Sequence, residues 1–238
     1  MDNMSAAVFG AAGGVGRALV QELQRRGVKN LYAISRGAGY TLPGTTALTA
    51  DPWKVADLRD VTDAMRSDPP RIVIVATGIL THPDGTGPER SLRQIDGPSM
   101  LETFRINTVV PALIAKYVIP LMPREGRSVF AVLSARVGSI ADNQLGGWHS
   151  YRASKAALNM LVKSVSIEMG RTHKTGIAVA LHPGTVDTQL SKPFQANLPD
   201  GQLTDPKDAA ANLLRVIEGL EAKDSGGFFD YAGDPVPY

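Results

Sequence analysis

"SAAVFGAAGGVGRALVQELQRRG", residues 5–27, is the stretch that decides the fold. Its apolar run Ala6–Phe9 predicts a buried strand. A glycine-rich turn follows that run, with Gly10, Gly14 and Gly16 spaced G-x-x-x-G-x-G. The periodic segment Val15–Arg26 then predicts a helix that stops at Gly27, because glycine readily adopts the left-handed conformation found after helix ends. Strand, tight turn and helix in this order form the repeating unit of α/β sheets.

The same alternation continues along the chain. Six further apolar runs predict strands: Leu31–Ile34, Thr46–Ala50, Ile72–Ala76, Val129–Leu133, Ile177–Leu181 and Phe228–Tyr231. Longer segments of helical periodicity separate these runs, as expected for parallel strands covered on both faces. The predicted fold is α/β, a single-domain Rossmann fold over residues 1–238. Its doubly wound, seven-stranded parallel sheet is flanked by helices on both faces.

Local signals mark where helices begin. Asp205 followed by Pro206 predicts an N-cap and the first helical residue. Ser99 and Glu102 predict a capping box at the start of the helix that carries Asn107. Two long irregular segments remain between the predicted elements: Gly78–Pro98 and Pro183–Leu203. Loops of this length in a compact domain are usually functional, so we expect them to shape a binding site.

The overall composition excludes several classes of protein. The chain has 25 basic and 23 acidic residues, and a net charge of +2 gives no footprint for nucleic acid. With 43% hydrophobic residues it is typical of globular proteins rather than disordered ones. The absence of cysteine fits a reducing compartment. No N-terminal signal peptide or apolar run long enough to span a membrane is evident, so we expect a cytoplasmic protein with no membrane partner.

The glycine cluster predicts an anion site. A turn this tight lets backbone N–H groups approach a pyrophosphate, and the helix that follows presents its positive end to the same charge. The spacing of Gly10, Gly14 and Gly16 differs by one residue from the general dinucleotide motif, and a simple strand–helix turn is the alternative. Its position after the first strand favours the dinucleotide.

The end of the second strand indicates which dinucleotide. An NAD site usually has a carboxylate there, about 20 residues beyond the glycines. This chain instead has Ser35 followed by Arg36. A guanidinium pairs with a 2′-phosphate through two hydrogen bonds, so the sequence predicts NADP(H). An exposed loop arginine is the alternative for Arg36.

Tyr151 and Lys155 form the candidate catalytic pair. Residues four apart on a helix share a face. At about 4 Å and an effective dielectric constant of about 20, the lysine charge favours the phenolate by roughly 4 kcal/mol, or about three pKa units. We therefore expect a phenol that titrates close to neutrality and exchanges a proton with an alcohol or carbonyl oxygen.

Several motifs together resemble one family. They are "GAAGGVG", "ATGIL", "INTVVP", "LSARVGS", "YRASK" and "HPGTVDT". The combination resembles the short-chain dehydrogenase/reductase superfamily over nearly the whole chain. Longer stretches, "GGWHSYRASKAALNML" and "HPGTVDTQLSKPFQ" among them, resemble its C-factor-like branch, which is related to carbonyl reductases.

The resemblance implies roles for four side chains. It makes Tyr151 the general acid/base, and Lys155 the group that lowers its pKa and holds the nicotinamide ribose. Asn107 corresponds to an asparagine that anchors a water, and Pro111, which has no N–H, leaves the carbonyl of residue 107 free for it. The substrate-orienting serine is the point of departure, since the chain has Ser134 followed by alanine. Ser134 is the first candidate and Ser139 the second.

The resemblance also implies the cofactor contacts. The predicted set is Gly10, Gly14, Val15, Gly16, Arg36, Asp51, Ala76, Thr77, Gly78, Tyr151, Lys155, Val186 and Thr188. Asp51 is expected either to contact adenine or to cap the next helix. The four histidines lack metal-like spacing, so no metal site is expected. Trp148, Phe194 and Leu198 are candidates for an apolar substrate wall, and His149 for its border.

The predicted function is transfer of a hydride between NADP(H) and a small-molecule carbonyl or alcohol substrate. A signalling or redox-sensing protein that binds NADP(H) with little turnover is the alternative. A sugar-nucleotide epimerase is disfavoured, because such enzymes usually carry a separate substrate domain. The family habit of pairing long helices implies a homodimer or homotetramer.

Overall fold

Seven parallel strands form the central sheet of the computed structural model, which describes residues 4–37, 40–199 and 201–238. The strands are β1 (Ser5–Phe9), β2 (Asn30–Ser35), β3 (Thr46–Thr49), β4 (Ile72–Val75), β5 (Ser128–Leu133), β6 (Gly176–His182) and β9 (Phe228–Asp230). Two short strands, β7 (Thr185–Val186) and β8 (Leu203–Thr204), pair with each other outside the sheet. All seven predicted runs are confirmed as strands, with ends that differ by at most one residue.

Helices cover both faces of the sheet, which confirms the doubly wound Rossmann class. They are α1 (Gly14–Arg25), α2 (Val55–Ala64), α3 (Gly97–Phe104), α4 (Val110–Val118), α5 (His149–Thr172) and α6 (Pro206–Gly219). One buried cluster joins the sheet to α1 and α6 through residues such as Leu19 and Leu213. The other joins the opposite face to α2, α4 and α5 through residues such as Ile114 and Leu158. Burial on both faces explains why β4 is apolar throughout and why β1 and β5 are apolar after their first residue, a buried serine.

The strand order places a crevice at the carboxyl end of β1. The sheet runs β3-β2-β1-β4-β5-β6-β9, so the chain moves outward in one direction from β1 and then returns to its other side at β4. Ligands of open α/β sheets bind where the strand order reverses in this way. The glycine turn after β1 lies at this point.

Two predicted helix ends are confirmed and one is wrong. Gly27 follows α1 with a φ of +76°, and the Asp205 side chain accepts a hydrogen bond from the N–H of Lys207 at the start of α6. The capping box of Ser99 and Glu102 does not form. The cap is Asp96, whose carboxylate accepts from the Ser99 N–H, while Glu102 pairs with Arg105. The helix begins earlier than predicted, so Ser99 lies in its first turn.

The longest apolar helical segment corrects another expectation. α3, a π-helical turn at Arg105–Val109, α4 and a final 3₁₀ turn form a continuous 25-residue helix, Gly97–Leu121. By length and composition this helix is sufficient to cross a membrane, whereas the sequence suggested that no segment approached that length. Core helices of soluble proteins meet the same criterion. Here Ile114 and Val118 pack into the buried cluster on the sheet.

Candidate active site

The glycine turn after β1 is packed too closely for side chains. A Cβ on Gly10, which has a φ of +82°, would lie 2.9 Å from the carbonyl carbon and oxygen of Ala76. A Cβ on Gly16 would lie 2.1 Å from the Gly10 oxygen. Gly13 occupies the N-cap position of α1 and has no side chain to cap it. Backbone N–H groups of the first turn are therefore available to an anionic group.

The turn also meets the segment after β6. A Cβ on Gly14 would lie 2.4 Å from Cγ2 of Thr188, so these two predicted cofactor residues are in direct contact. Val186 is buried, and its carbonyl accepts a hydrogen bond from Ser191. The Val15 side chain is partly buried and packs against the hydrophobic core. The fold thus gathers glycines and a hydroxyl around one end of α1.

A cavity of about 270 Å³ lies at the reversal point of the sheet. Six predicted cofactor residues line it: Gly10, Arg36, Asp51, Ala76, Thr77 and Gly78. The Thr77 hydroxyl is buried and, in the described part of the chain, has no hydrogen-bond partner. Asp51 accepts from the Trp53 N–H, so it also caps the turn that leads into α2. Arg105 lines the cavity as well and was not foreseen, because its contact depends on the π-helical turn.

Tyr151 and Lys155 face the same side of α5, but their electrostatics differ from the prediction. Both are buried, and the lysine Nζ lies 5.8 Å from the centroid of the tyrosine ring. The Nζ donates to the carbonyl of Leu133 at 2.8 Å. Burial raises the pKa of the Tyr151 phenol and lowers the pKa of Lys155 to about 8. The expectation of a phenol titrating near neutrality is therefore wrong for this structure, because burial desolvates the phenol and disfavours its charged form.

Asn107 is fully buried in the π-helical turn and joins two segments. Its Oδ1 accepts from the Ile79 N–H at 2.8 Å, and its Nδ2 donates to the Ile79 carbonyl and to Ser154 Oγ on α5. A Cβ on Gly78 would lie 3.4 Å from Asn107 Oδ1 and 3.7 Å from Lys155 Nζ. The fold therefore brings Gly78, Asn107 and Lys155 together, although their sequence positions are far apart.

A second, larger cavity of about 640 Å³ lies on the other side of Tyr151. Most of its wall comes from the loop between β4 and α3, which supplies polar groups such as His82 and Glu89. Phe194 lines it, and Trp148 packs between Tyr151 and Phe194 at centroid distances of 6.2 and 5.0 Å. Among the described residues, Phe194 is the one predicted wall residue that lines this cavity, and Trp148, Leu198 and His149 do not. The two long irregular segments thus form its wall, as expected.

Residues 4–199 match the model of the short chain dehydrogenase family. The chain belongs to this family. A segment of 148 residues is 38% identical to the C-signal of Myxococcus xanthus and covers 62% of this chain and 84% of that protein. This confirms the resemblance to the C-factor-like branch. The chain spans only 52–59% of the next curated relatives that it matches.

Two solved structures show the same short-chain dehydrogenase fold. The carbonyl reductase Sniffer of D. melanogaster superposes with a TM-score of 0.86 at 23% identity, covering 100% of both chains. The NADPH-bound carbonyl reductase from chicken fatty liver superposes with a TM-score of 0.85 at 24% identity, covering 100% of this chain and 95% of that one. Both likenesses confirm the predicted fold class.

The two candidates for the family's serine are both buried. Ser134 Oγ donates to Asn159 Oδ1 at 2.7 Å, and Ser139 Oγ accepts from the Asp142 N–H. Neither lines the larger cavity in the part of the chain that the structure describes. Asn159 Nδ2 has no partner there, and turning this amide over would make Nδ2 donate to Ser134 and release the serine proton. The role of Ser134, with Ser139 as the alternative, stays a prediction.

The described residues contain no cluster of side chains that could hold a metal ion. No group of three or more histidine, aspartate or glutamate side chains lies close enough there to hold an ion.

Glu89 is a feature of this short-chain dehydrogenase that the sequence did not indicate. It is buried beside the larger cavity and accepts hydrogen bonds from the backbone and hydroxyl of Ser150.

Proposed function

We propose that this short-chain dehydrogenase is an NADP(H)-dependent carbonyl reductase, in which Tyr151 exchanges the proton. One arrangement carries the proposal. Tyr151 borders the larger cavity, and Lys155, one turn further along α5, lies next to Gly78 of the smaller cavity. A substrate in the first cavity and a nicotinamide reaching in from the second would meet at this pair.

NADP(H) fits the residues around the smaller cavity. The glycine turn and the N-terminus of α1 would hold the pyrophosphate, Arg36 the 2′-phosphate, and Thr188 with the Val186 backbone the carboxamide end. The NADPH-bound carbonyl reductase from chicken supports this choice, as does the lack of a carboxylate at the end of β2. When bound, the cofactor supplies the hydride.

The protonation states suit reduction. Because burial raises the pKa of Tyr151, its phenol is protonated at neutral pH and can donate to a carbonyl oxygen. With a pKa of about 8, Lys155 is mostly positive at pH 7 and stabilises the phenolate that donation leaves behind. Ser134 would hold the substrate oxygen, and the carbonyl of Asn107 would hold a water through which Lys155 regains protons.

A homodimer or homotetramer accounts for apolar residues left at the surface. Leu101 on α3, and Met160 and Ile167 on α5, are 73%, 66% and 57% exposed. α3 and α5 pack against each other, so these three side chains offer an apolar surface for a subunit contact. The oligomeric state and a cytoplasmic location both stay predictions.

A signalling protein with little turnover is the second candidate. The match to the C-signal of Myxococcus xanthus favours it, as does the alanine that follows Ser134 in place of a second serine. Both candidates require NADP(H) binding, so binding alone does not separate them. Turnover does.

Tyr151→Phe tests the proposal. It removes the proton donor and keeps the ring that packs on Trp148, so we expect NADPH oxidation with aldehydes, ketones and quinones to fall about 10²- to 10⁴-fold. NADPH affinity, measured by fluorescence titration, should change by less than about twofold, because binding and proton transfer are separate steps. Unaltered turnover would remove Tyr151 from the mechanism. A wild-type protein that binds NADPH and reduces none of the panel would favour the signalling candidate.

A further inference from the structure

The chain enters α5 through a run of left-handed residues. Gly146, Gly147 and Trp148 have φ values of +63°, +65° and +49°, and Trp148 is the one non-glycine residue with positive φ in the described ranges. A non-glycine residue is strained in this conformation, because its Cβ approaches the backbone. Contacts from elsewhere must therefore hold Trp148, which lies three residues before Tyr151.

Glu89 supplies those contacts. Its backbone carbonyl accepts from the Trp148 N–H at 2.5 Å. Its carboxylate accepts from the Ser150 N–H at 3.1 Å and also from the Ser150 hydroxyl. α5 has no side-chain cap of its own, because the indole of Trp148, in the N-cap position, is a donor and cannot accept a hydrogen bond. Glu89, 61 residues before Ser150, therefore caps the helix from the loop that walls the larger cavity.

The charge of Glu89 suits this position. A carboxylate in the first turn of a helix is stabilised by the unpaired N–H groups and the helix dipole. Burial opposes ionisation, but hydrogen bonds from the hydroxyl and backbone of Ser150 and from the backbone of Glu89 itself hold the pKa of Glu89 below its ordinary value. The group is thus an anion at neutral pH, even though only 8% of the residue is exposed.

We propose that Glu89 is a positioning residue: by capping α5 from the cavity loop, it fixes Trp148 and Ser150 and thereby orients the Tyr151 phenol toward the substrate. The inference rests on the proposed role of Tyr151. Tyr151 follows Ser150 directly, and its ring packs edge-on against Trp148. Loss of the cap relaxes this entrance and displaces the phenol. A displacement of about 1 Å can cost about 100-fold in rate.

Trp148 fluorescence tests the positioning without reference to activity. A Trp53→Phe background leaves Trp148 as the single tryptophan, since the chain has two. In this background we expect Glu89→Ala to shift and broaden the emission. Without the carboxylate, the loop whose carbonyl accepts from the Trp148 backbone N–H is no longer held at the start of α5. Glu89→Gln keeps an acceptor for the Ser150 N–H, so its spectrum should return toward that of the parent.

Steady-state kinetics provides the second readout. We expect Glu89→Ala to lower kcat about 100-fold while the KM for NADPH stays within about twofold. Glu89→Gln should recover most of this loss, and Ser150→Ala should cost less than Glu89→Ala because it removes one contact of three. Glu22→Gln is the matched control. Glu22 is equally buried and bonded, to Arg25 and Arg26, but lies at the far end of α1, so this change should lower stability and leave kcat unchanged.

The outcomes separate the two proposals. If Glu89→Ala leaves both the Trp148 spectrum and kcat as in the parent, the positioning role is refuted. If wild type reduces no substrate of the panel, the proposed function fails, and the fluorescence result still decides whether Glu89 holds the entrance. Should Glu89→Ala not fold, Glu89→Gln and Ser150→Ala carry the test, and parent-like spectra and kcat in both would refute it.

Discussion

The turn after β1 and the entrance to α5 each begin a helix beside a cavity, but they are built in different ways. The turn uses backbone and the absence of side chains: Gly10 and Gly16 are six residues apart, and a Cβ on either would collide with neighbouring backbone. The entrance to α5 uses side chains from distant segments. Glu89 reaches Ser150, Lys155 reaches Leu133, and Asn107 reaches Ile79, over separations of 61, 22 and 28 residues.

The difference has a functional consequence. A helix start made of backbone presents fixed N–H groups, which suit a cofactor with a constant pyrophosphate. An entrance made of buried polar side chains sets the position and the proton affinity of individual groups, which suits proton transfer. Substitutions in the first region should therefore change binding, and those in the second should change rate.

Lys155→Met should produce the largest effect and test the second region directly. We expect kcat to fall about 10²- to 10⁴-fold. Stability should rise, because the pKa of Lys155 is lowered from 10.5 to about 8, a cost of up to about 3 kcal/mol for holding its proton when folded.

The pH dependence of stability distinguishes this cost of the charged lysine from other effects of the substitution. Between about pH 8 and 10.5 the unfolded lysine keeps a proton that the folded one releases, so this cost fades as pH rises through that range. The stability gain of Lys155→Met should be present at pH 7 and nearly absent above pH 10.5, as measured by urea unfolding. A variant less stable than wild type at pH 7 would contradict the claim that burial of the charged Lys155 lowers the stability of the folded protein. Wild-type kcat for reduction should decline above about pH 8 as Lys155 loses its charge.

Arg36→Asp tests the first region. Replacing the guanidinium with a carboxylate removes the partner of the 2′-phosphate and adds repulsion, so we expect NADPH affinity to fall about 100-fold and NADH affinity by less than about threefold. Fluorescence titration with both cofactors measures this. Equal losses for NADPH and NADH would refute the phosphate contact. A changed kcat at saturating cofactor would contradict the assignment of binding to the first region and rate to the second.

Ser134→Ala should have the smallest effect of the three. The hydroxyl shares its hydrogen bonding with Asn159, so we expect kcat to fall about tenfold, less than the loss typical of a dedicated donor. Ser139→Ala, measured alongside on the same carbonyl substrates, should fall by less. The reverse ranking would give the substrate-orienting role to Ser139.

The pattern of apolar runs was enough to predict the sheet. All the strands except the edge strand β3 are largely buried, so their own apolar residues carry the signal, and the predicted ends are correct to one residue. The capping-box prediction failed because the spacing of Ser99 and Glu102 does not show where the helix begins. Only the observed start of α3 shows that Asp96 is the cap. The expectation that no apolar segment approaches the length of a membrane-spanning helix was wrong at Gly97–Leu121, because α3, the π-helical turn and α4 join into one continuous helix.

By itself the sequence determined the strand–turn–helix units, the glycine turn and the placement of Tyr151 one helical turn before Lys155. These features depend on neighbours a few residues apart, and local geometry is enough to fix them. Only the tertiary structure decided the sign of the Tyr151 pKa shift and the partner that caps α5. Desolvation and contacts between Glu89 and Ser150 depend on which distant segments exclude water from the site, and that is set by packing.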